Sequence, residues 1–327
     1  MTKNPDILIE TQNLTKHFKL SNDSFKKKNT NIKAVNDVSI SIYKGETLGL
    51  VGESGCGKST VGRLLIKLID PTQGRIIYEG EDVAGFQGRR LRELRKDMQI
   101  IFQDPYSSLN PRMNCESIIS EPLFIHTDLN RKQRKEKVQE LLYQVGLPVE
   151  YSSRYPHEFS GGQRQRIGIA RALSMDPKFI VCDEPVSALD VSVQSQVLNL
   201  LRELQSQMSL TYLFIAHGLN VVKYISDRIC VMYLGSVVEQ ASSEELYQHP
   251  LHPYTQALIS AIPDTDISVD KQRIILEGDV PSPANPPDGC LFHTRCSHCM
   301  ERCKNEIPAF REQSPGHFAA CHLYDTN

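Results

Sequence analysis

Apolar positions in the first part of the chain repeat with a period of two. Val38-Ser-Ile40-Ser-Ile42 alternates, and Thr47-Leu-Gly-Leu-Val51 is a short apolar run that ends in a glycine-rich loop, so residues 7–51 are expected to be rich in strands. The period then lengthens. Lys58 to Ile69 reads as a helix stopped by Asp70-Pro71. Met98 to Phe102 reads as a strand, and from Asp104 to about Met175 helical spacing takes over. There Val138, Leu141, Leu142 and Val145 mark one face of a helix from Arg131 to Val145, with Gly146 as its stop. Strands return at Lys178–Cys182, Thr211–Ala216 and Ile229–Leu234, around a helix from Ser192 to Met208. Strand alternating with helix predicts a largely parallel sheet in an α/β fold, with a helical insertion at about 104–175.

Beyond about Pro250 the texture changes. Pro281-Ser-Pro-Ala-Asn-Pro-Pro287 predicts an extended linker into a cysteine-rich tail. The expected division is therefore a domain over 1–250 and an extension over 251–327.

The chain has 327 residues, 40% of them hydrophobic and 23% charged, enough for one large domain and an appendage. A net charge of -2 gives no general nucleic-acid signal. The basic runs Lys26-Lys27-Lys28 and Arg131 to Lys137 read as solvated loop and helix faces. No apolar run approaches the roughly 18 residues of a membrane helix, and Met1-Thr-Lys-Asn-Pro lacks a signal-peptide core. These features predict a chain kept in the cytosol, which would need separate membrane partners for any role in transport. Of nine cysteines, five lie after residue 289, and a reducing compartment favours metal ligation over disulfides there.

Gly52-Glu53-Ser54-Gly55-Cys56-Gly57-Lys58-Ser59 fits G-x-x-x-x-G-K-S, followed by Thr60, between a predicted strand and a predicted helix. Glycines let successive N–H groups face a phosphate chain, and the helix N-terminus adds its positive end. Lys58 is expected on the β- and γ-phosphates and the Ser59 hydroxyl on Mg²⁺. Cys56 reads as a small residue that fits the loop, with a redox-sensitive thiol as the alternative. The apolar run Phe179-Ile-Val-Cys ends in Asp183-Glu184. Asp183 is expected to hold Mg²⁺ and Glu184 to act as the general base on the attacking water.

With Phe159-Ser160-Gly161-Gly162-Gln163 between these two stretches, the chain resembles the ATPase domain of an ABC transporter. The resemblance implies a P-loop NTPase (RecA-like) α/β core, an antiparallel β subdomain and a helical ABC-specific subdomain. It makes Gln103 the Q-loop glutamine that meets Mg²⁺ and a transmembrane partner. Ser160–Gln163 becomes the signature, with Phe159 in place of the commoner Leu, and Ser187-Ala188-Leu189-Asp190 the D-loop. His217 becomes the switch histidine, followed by Gly218 where many relatives carry Asp. Phe18 resembles the aromatic residue that stacks on adenine, with an insertion from Ser21 to Thr30 beside it. The family's signature caps the nucleotide of the opposite subunit, so two ATPases sandwich two ATP molecules.

Three further stretches narrow the resemblance to ATPases of bacterial dipeptide/oligopeptide importers, in particular the second of the pair. They are Gln103-Asp-Pro-Tyr-Ser-Ser-Leu-Asn-Pro111, His252-Pro-Tyr-Thr255, and the tail from Gly289-Cys290 to Cys321-His322. The implied partners are a second ABC ATPase, two permeases and an extracytoplasmic peptide-binding protein, with this chain on the cytoplasmic face of the membrane. A soluble ABC ATPase acting on nucleic acid or the ribosome is the alternative class, and nickel or another small solute the alternative cargo.

Cys290, Cys296, Cys303 and Cys321 are separated by five, six and seventeen residues. The resemblance implies that these four thiolates bind a 4Fe–4S cluster. Zn²⁺ is the runner-up, unliganded thiols are the third reading, and Cys299 is an extra cysteine inside the set.

Overall fold

The computed structural model describes residues 6–19, 31–262 and 273–325. The Lys26–Lys28 run and the Ser21–Thr30 insertion lie outside the described residues.

In chain order the elements begin with β1 (Ile7–Lys19), β2 (Asn31–Val38), β3 (Ser41–Tyr43) and β4 (Thr47–Val51). Then come α1 (Lys58–Leu65), β5 (Gln73–Tyr78), β6 (Glu81–Asp82), α2 (Gly88–Asp97) and β7 (Met98–Ile101). The helical stretch follows: α3 (Pro105–Ser108), α4 (Cys115–His126), α5 (Arg131–Gln144) and α6 (Gly161–Leu173). Next are β8 (Phe179–Asp183), α7 (Val191–Met208), β9 (Thr211–Ile215), α8 (Leu219–Ile225), β10 (Arg228–Tyr233) and β11 (Ser236–Ser242). The chain ends with α9 (Ser243–Gln248), α10 (Pro253–Ser260), α11 (Glu301–Asn305), β12 (Arg311–Ser314) and β13 (His317–Ala319).

The chain divides into two compact units. The first comprises Tyr43–Glu46 and Gly85–Ile215 with Asp6; the second comprises the described residues of Ile7–Ile42, Thr47–Ala84 and Ala216–Asn327.

In the first unit β7, β8 and β9 run parallel, with Met98 opposite Phe179 and Asp183 opposite Ile215. Every residue of β8 and β9 is buried, as expected of parallel strands covered on both faces. Helices α4, α5 and α6 pack on one another, and Ile118, Ile119, Leu123, Val138, Leu141, Leu142, Ile167 and Ile169 on them are buried. Helix α5 opens with a capping box in which Asn130 and Gln133 exchange side-chain and backbone bonds. It closes before Gly146, which takes φ 69°.

In the second unit β1 pairs antiparallel with β2 and with β5, and β5 with β6. A separate ladder joins β4 parallel to β10 and β10 antiparallel to β11. The hairpin β12–β13 then extends that ladder from the C-terminal tail, with Glu239 opposite Ala319 and Gln240 opposite Phe318.

Three local expectations change. The alternating Val38–Ile42 stretch is interrupted between β2 and β3, and Thr11 fills the gap. Its hydroxyl donates to Val38 O at 3.0 Å and accepts from Ile40 N at 2.9 Å. Helix α1 ends at Leu65 rather than Ile69, because Lys67 adopts φ 52° and its buried Nζ turns back to Asp70 and the Ala84 carbonyl. The Pro281–Pro287 stretch is docked, since Pro283 O accepts the Lys33 N–H at 3.1 Å. Among the described residues no helix is long and apolar enough to cross a membrane.

Candidate functional site

The glycine loop lies in the second unit, between β4 and α1. Gly52, Gly55 and Gly57 take φ of 150°, 78° and 105°, a region that disfavours side chains. A Cβ on Gly52 would sit 2.2 Å from Met232 O, and one on Gly57 2.1 Å from Ala34 O, so both positions also need glycine for space. Gly57 is the N-cap of α1, and Lys58 opens the helix. Lys58 is 4% exposed, and its Nζ donates to Gly52 O at 2.7 Å and Glu53 O at 3.0 Å. Ser59 and Thr60 are half-buried in the first turn, while Ser54 and Gly55 are exposed on the loop's crest.

Cys56 is buried, and burial pushes its thiol pKa up against the pull of Lys58. A buried thiol with a raised pKa is a poor nucleophile, which favours reading Cys56 as a small residue that fits the loop.

His217 is exposed and follows Ala216, whose N–H donates to Leu50 O at 3.3 Å on the strand that feeds the loop. Gly218 is the N-cap of α8 at φ −88°, without a side-chain cap bond. An Asp there would add a cap, and glycine forgoes only a few tenths of a kcal/mol against it. Phe18 is 40% exposed near the end of β1, with Lys16 Nζ 5.2 Å from its ring centre.

The first unit holds the Asp183–Glu184 pair, Gln103, Ser160–Gln163 and Ser187–Asp190. Asp183 ends β8 at 3% exposure, and Glu184 follows at 5%. Glu184 takes φ 51°, uncommon for a residue with a side chain. Its N–H donates to Ile215 O at 3.0 Å, and its own carbonyl accepts the Ser187 N–H at 3.2 Å and hydroxyl at 3.1 Å. Gln103 Nε2 donates to Glu184 Oε2 at 2.6 Å. The glutamine and the acid, 81 residues apart in the chain, thus share one hydrogen bond.

Ser160 caps α6 through a capping box: its hydroxyl accepts from Gln163 N at 3.4 Å, and Gln163 Oε1 accepts from Ser160 N at 3.0 Å. Phe159 is buried edge-on against Tyr151 at 5.7 Å, so the larger ring is absorbed by packing. Gly161 is exposed, whereas a Cβ on Gly162 would come within 2.4 Å of Val193 Cγ1 on α7. Asp190 caps that helix, accepting from Val193 N at 3.0 Å and Ser192 Oγ at 2.7 Å. The Ser192 bond leads the effects that hold its carboxyl below the usual range.

Residues 35–187 match the ABC transporter family, and residues 238–303 match the C-terminal region of oligopeptide/dipeptide transporters. The oligopeptide transport ATP-binding protein AppF of Bacillus subtilis is 55% identical over 98% of both chains. The chain belongs to the ATP-binding subunits of oligopeptide ABC transporters. The oligopeptide transport ATP-binding protein OppF of Haemophilus influenzae is 52% identical, again over 98% of both chains. In three dimensions this ABC ATPase resembles the dimeric ATP-binding cassette MJ0796 bound to ADP and Pi, with a TM-score of 0.64 and 27% identity. That match covers 72% of this chain and 99% of the other. ATP hydrolysis is the chemistry of the family, and the α/β P-loop fold expected from the sequence is the one observed.

The tail departs from expectation. Among the described residues, no group of three or more His, Cys, Asp and Glu side chains is arranged to hold a metal ion. The metal expected on Cys290, Cys296, Cys303 and Cys321 is thus not supported by this arrangement of side chains. Burial, and then neighbouring thiols, push Cys290 and Cys321 up to about 11 and raise Cys296 as well. What orders this segment is its backbone: Cys290 N–H donates to Cys303 O at 2.8 Å, and a Cβ on Gly289 would meet the same carbonyl at 2.4 Å.

Sequence reasoning missed Arg295 and the role of Tyr254. Arg295 Nη1 and Nη2 donate to the Glu53 carboxylate at 2.7 and 3.1 Å, and the Tyr254 hydroxyl accepts the Glu53 N–H at 2.8 Å. Tyr254 stood out only as part of a subfamily marker. Nothing local could have paired Arg295 with a residue 242 positions away.

Proposed function

We propose that the chain is the subunit that binds and hydrolyses ATP to energise peptide import through a multi-subunit ABC transporter. The observation that carries the reading is full-length similarity to oligopeptide transport ATP-binding proteins, tail included. The cassette is assigned to 1–250, with the helical ABC-specific part at about 104–175, and the transporter-specific extension to 251–327.

In this reading backbone N–H groups of the 52–60 loop, apart from the Glu53 N–H that the Tyr254 hydroxyl accepts, cradle the phosphates and Lys58 neutralises the β- and γ-phosphates. Phe18 offers an exposed ring to adenine. The hard oxygens of Ser59, Gln103 and Asp183 suit Mg²⁺, which would neutralise phosphate charge. Glu184 orients and deprotonates the attacking water, His217 contacts the γ-phosphate, and Gln103 meets Mg²⁺ and the transmembrane partner. Ser160, Gly161, Gly162 and Gln163, at the positive end of α6, cap the nucleotide held by the second ATPase. Asp190 fixes the start of α7 beside them.

The remaining assembly is two permeases, a second ABC ATPase and an extracytoplasmic peptide-binding protein, with this chain held at the cytoplasmic face of the membrane through the permeases. Tagged chain recovered from detergent-solubilised native membranes is expected to bring two multi-spanning proteins and a second ATPase, identified by mass spectrometry. Ribosomal or DNA-associated proteins without a permease would overturn the transport reading.

The finer reading of the tail, a 4Fe–4S cluster or Zn²⁺ on Cys290, Cys296, Cys303 and Cys321, rests on their spacing and mutual electrostatic influence. It requires the thiols to deprotonate and draw together. Anaerobically purified protein should then carry iron with acid-labile sulfide, or zinc, near one site per chain. Absence of all three would leave four thiols in a tail ordered by backbone pairing.

A further inference from the structure

Glu53, the second residue of the phosphate loop, is fully committed in three directions. Its carboxylate takes both terminal nitrogens of Arg295 at 2.7 and 3.1 Å. Its N–H donates to the Tyr254 hydroxyl at 2.8 Å, and its carbonyl accepts Lys58 Nζ at 3.0 Å. The carbonyl also accepts the Cys56 N–H at 3.3 Å; of these four partners Arg295 and Tyr254 come from the C-terminal extension.

Both partners are themselves fixed. The Arg295 side chain is 7% exposed. Tyr254 is fully buried, with its ring 4.8 Å from Tyr233 and 5.4 Å from Phe292. Phe292 stands edge-on to Tyr233 at 5.2 Å, and Gly235, two residues beyond Tyr233, donates its N–H to Cys56 O at 2.9 Å. The extension therefore grips the loop through a rigid aromatic block, not through mobile surface groups.

The chemistry of this grip concerns charge as well as position. A carboxylate within a loop that receives a polyphosphate repels it, and in a half-buried setting that repulsion is weakly screened. A bidentate guanidinium cancels the charge while holding the carboxylate still. The Tyr254 bond fixes the Glu53 peptide plane, which aims the carbonyl that Lys58 meets.

We propose that Arg295 and Tyr254 are positioning residues for nucleotide binding: Arg295 neutralises Glu53, Tyr254 sets the Glu53 peptide, and the extension thereby tunes the loop's affinity for Mg–ATP. The proposal rests on the ATP reading of the loop. In titration calorimetry of the full-length chain with Mg–ATP, Arg295→Ala is expected to weaken binding about tenfold. Adding Glu53→Gln to it should bring affinity back to within about threefold of the wild type, because the uncompensated charge is gone. Tyr254→Phe, which removes only the hydroxyl, should weaken binding about threefold with melting temperature little changed. In the assembled transporter the Arg295→Ala loss should appear in KM for ATP rather than in kcat.

Unchanged affinity in Arg295→Ala, or a loss that Glu53→Gln does not repair, would overturn the inference while leaving the ATP reading intact. Failure of the wild-type chain to bind Mg–ATP would instead remove the reading beneath it.

Discussion

Glu184 carries two burdens at once. Its backbone occupies φ 51°, a conformation that costs on the order of 1 kcal/mol or more for a residue with a side chain. Three bonds from Ile215 and Ser187 hold it there. The reward is direction, since its carboxylate is brought to Gln103 at 2.6 Å. Glu184→Gln preserves shape and removes basicity. Turnover in the assembled transporter is expected to fall by about 10²- to 10⁴-fold, while Mg–ATP binding by the chain persists. ATPase assay beside equilibrium binding separates the two, and a variant that still turned over at the wild-type rate would displace Glu184 as the base. The acid itself was legible, because four apolar residues ending in Asp-Glu announce a buried strand with a chemical edge. Its strained backbone and its bond to Gln103 were not, because neither leaves a mark in local pattern.

At the scale of elements, α10 depends on a titrating cap. His252 is the N-cap, and its Nδ1 accepts the Tyr254 N–H at 3.1 Å, which requires a neutral nitrogen. Burial, opposed by Glu239, lowers its pKa to about 4. The unfolded chain takes up this proton near pH 6.5 and the folded chain only near 4, so stability is present above 6.5 and lost as pH falls through that window. The loss has an upper bound of about 3 kcal/mol.

His317 works in the opposite sense. Burial lowers its pKa, but Glu239 at 2.8 Å and Glu245 outweigh that and raise it. Its contribution is complete below 6.5 and fades as pH rises through its folded value. His252→Asn keeps an acceptor without titrating, so its melting temperature should fall less steeply than the wild type's between pH 6.5 and 4.5. Equal slopes would sink this assignment. Helix and strand types were largely readable from period, as β4, β8, β9 and α7 illustrate to within a residue or two. Ends were less so: α1 stops at Leu65 because of Lys67's left-handed turn and buried amine, a tertiary event that Asp70-Pro71 could not foretell.

At the scale of the whole molecule, the nucleotide motifs fall in different compact units, the glycine loop and His217 in one and Gln103, the acidic pair and the signature in the other. Their order along the chain was enough to name the family, since each motif is local and rich in glycine or acid. What escaped was the joining of the extension to the second unit. The proline-rich stretch predicted an extended linker, and the chain beyond it returns to pair His317–Ala319 with β11. Partners so far apart in sequence share no period, and only the closed structure reveals them.

That pairing bears on how such chains can be recombined. Glu239 lies fully buried in β11 and gathers the N–H groups of Leu251 and His252 with the ring of His317. Cutting the chain at the proline stretch would strip His317 from this acid and uncover a strand edge open to pairing with another chain. A chimera that exchanged tails between two such transporters would therefore have to carry β11 and the Glu53 loop with the tail, so the heritable module is a set of interlocked positions scattered from one end of the protein to the other.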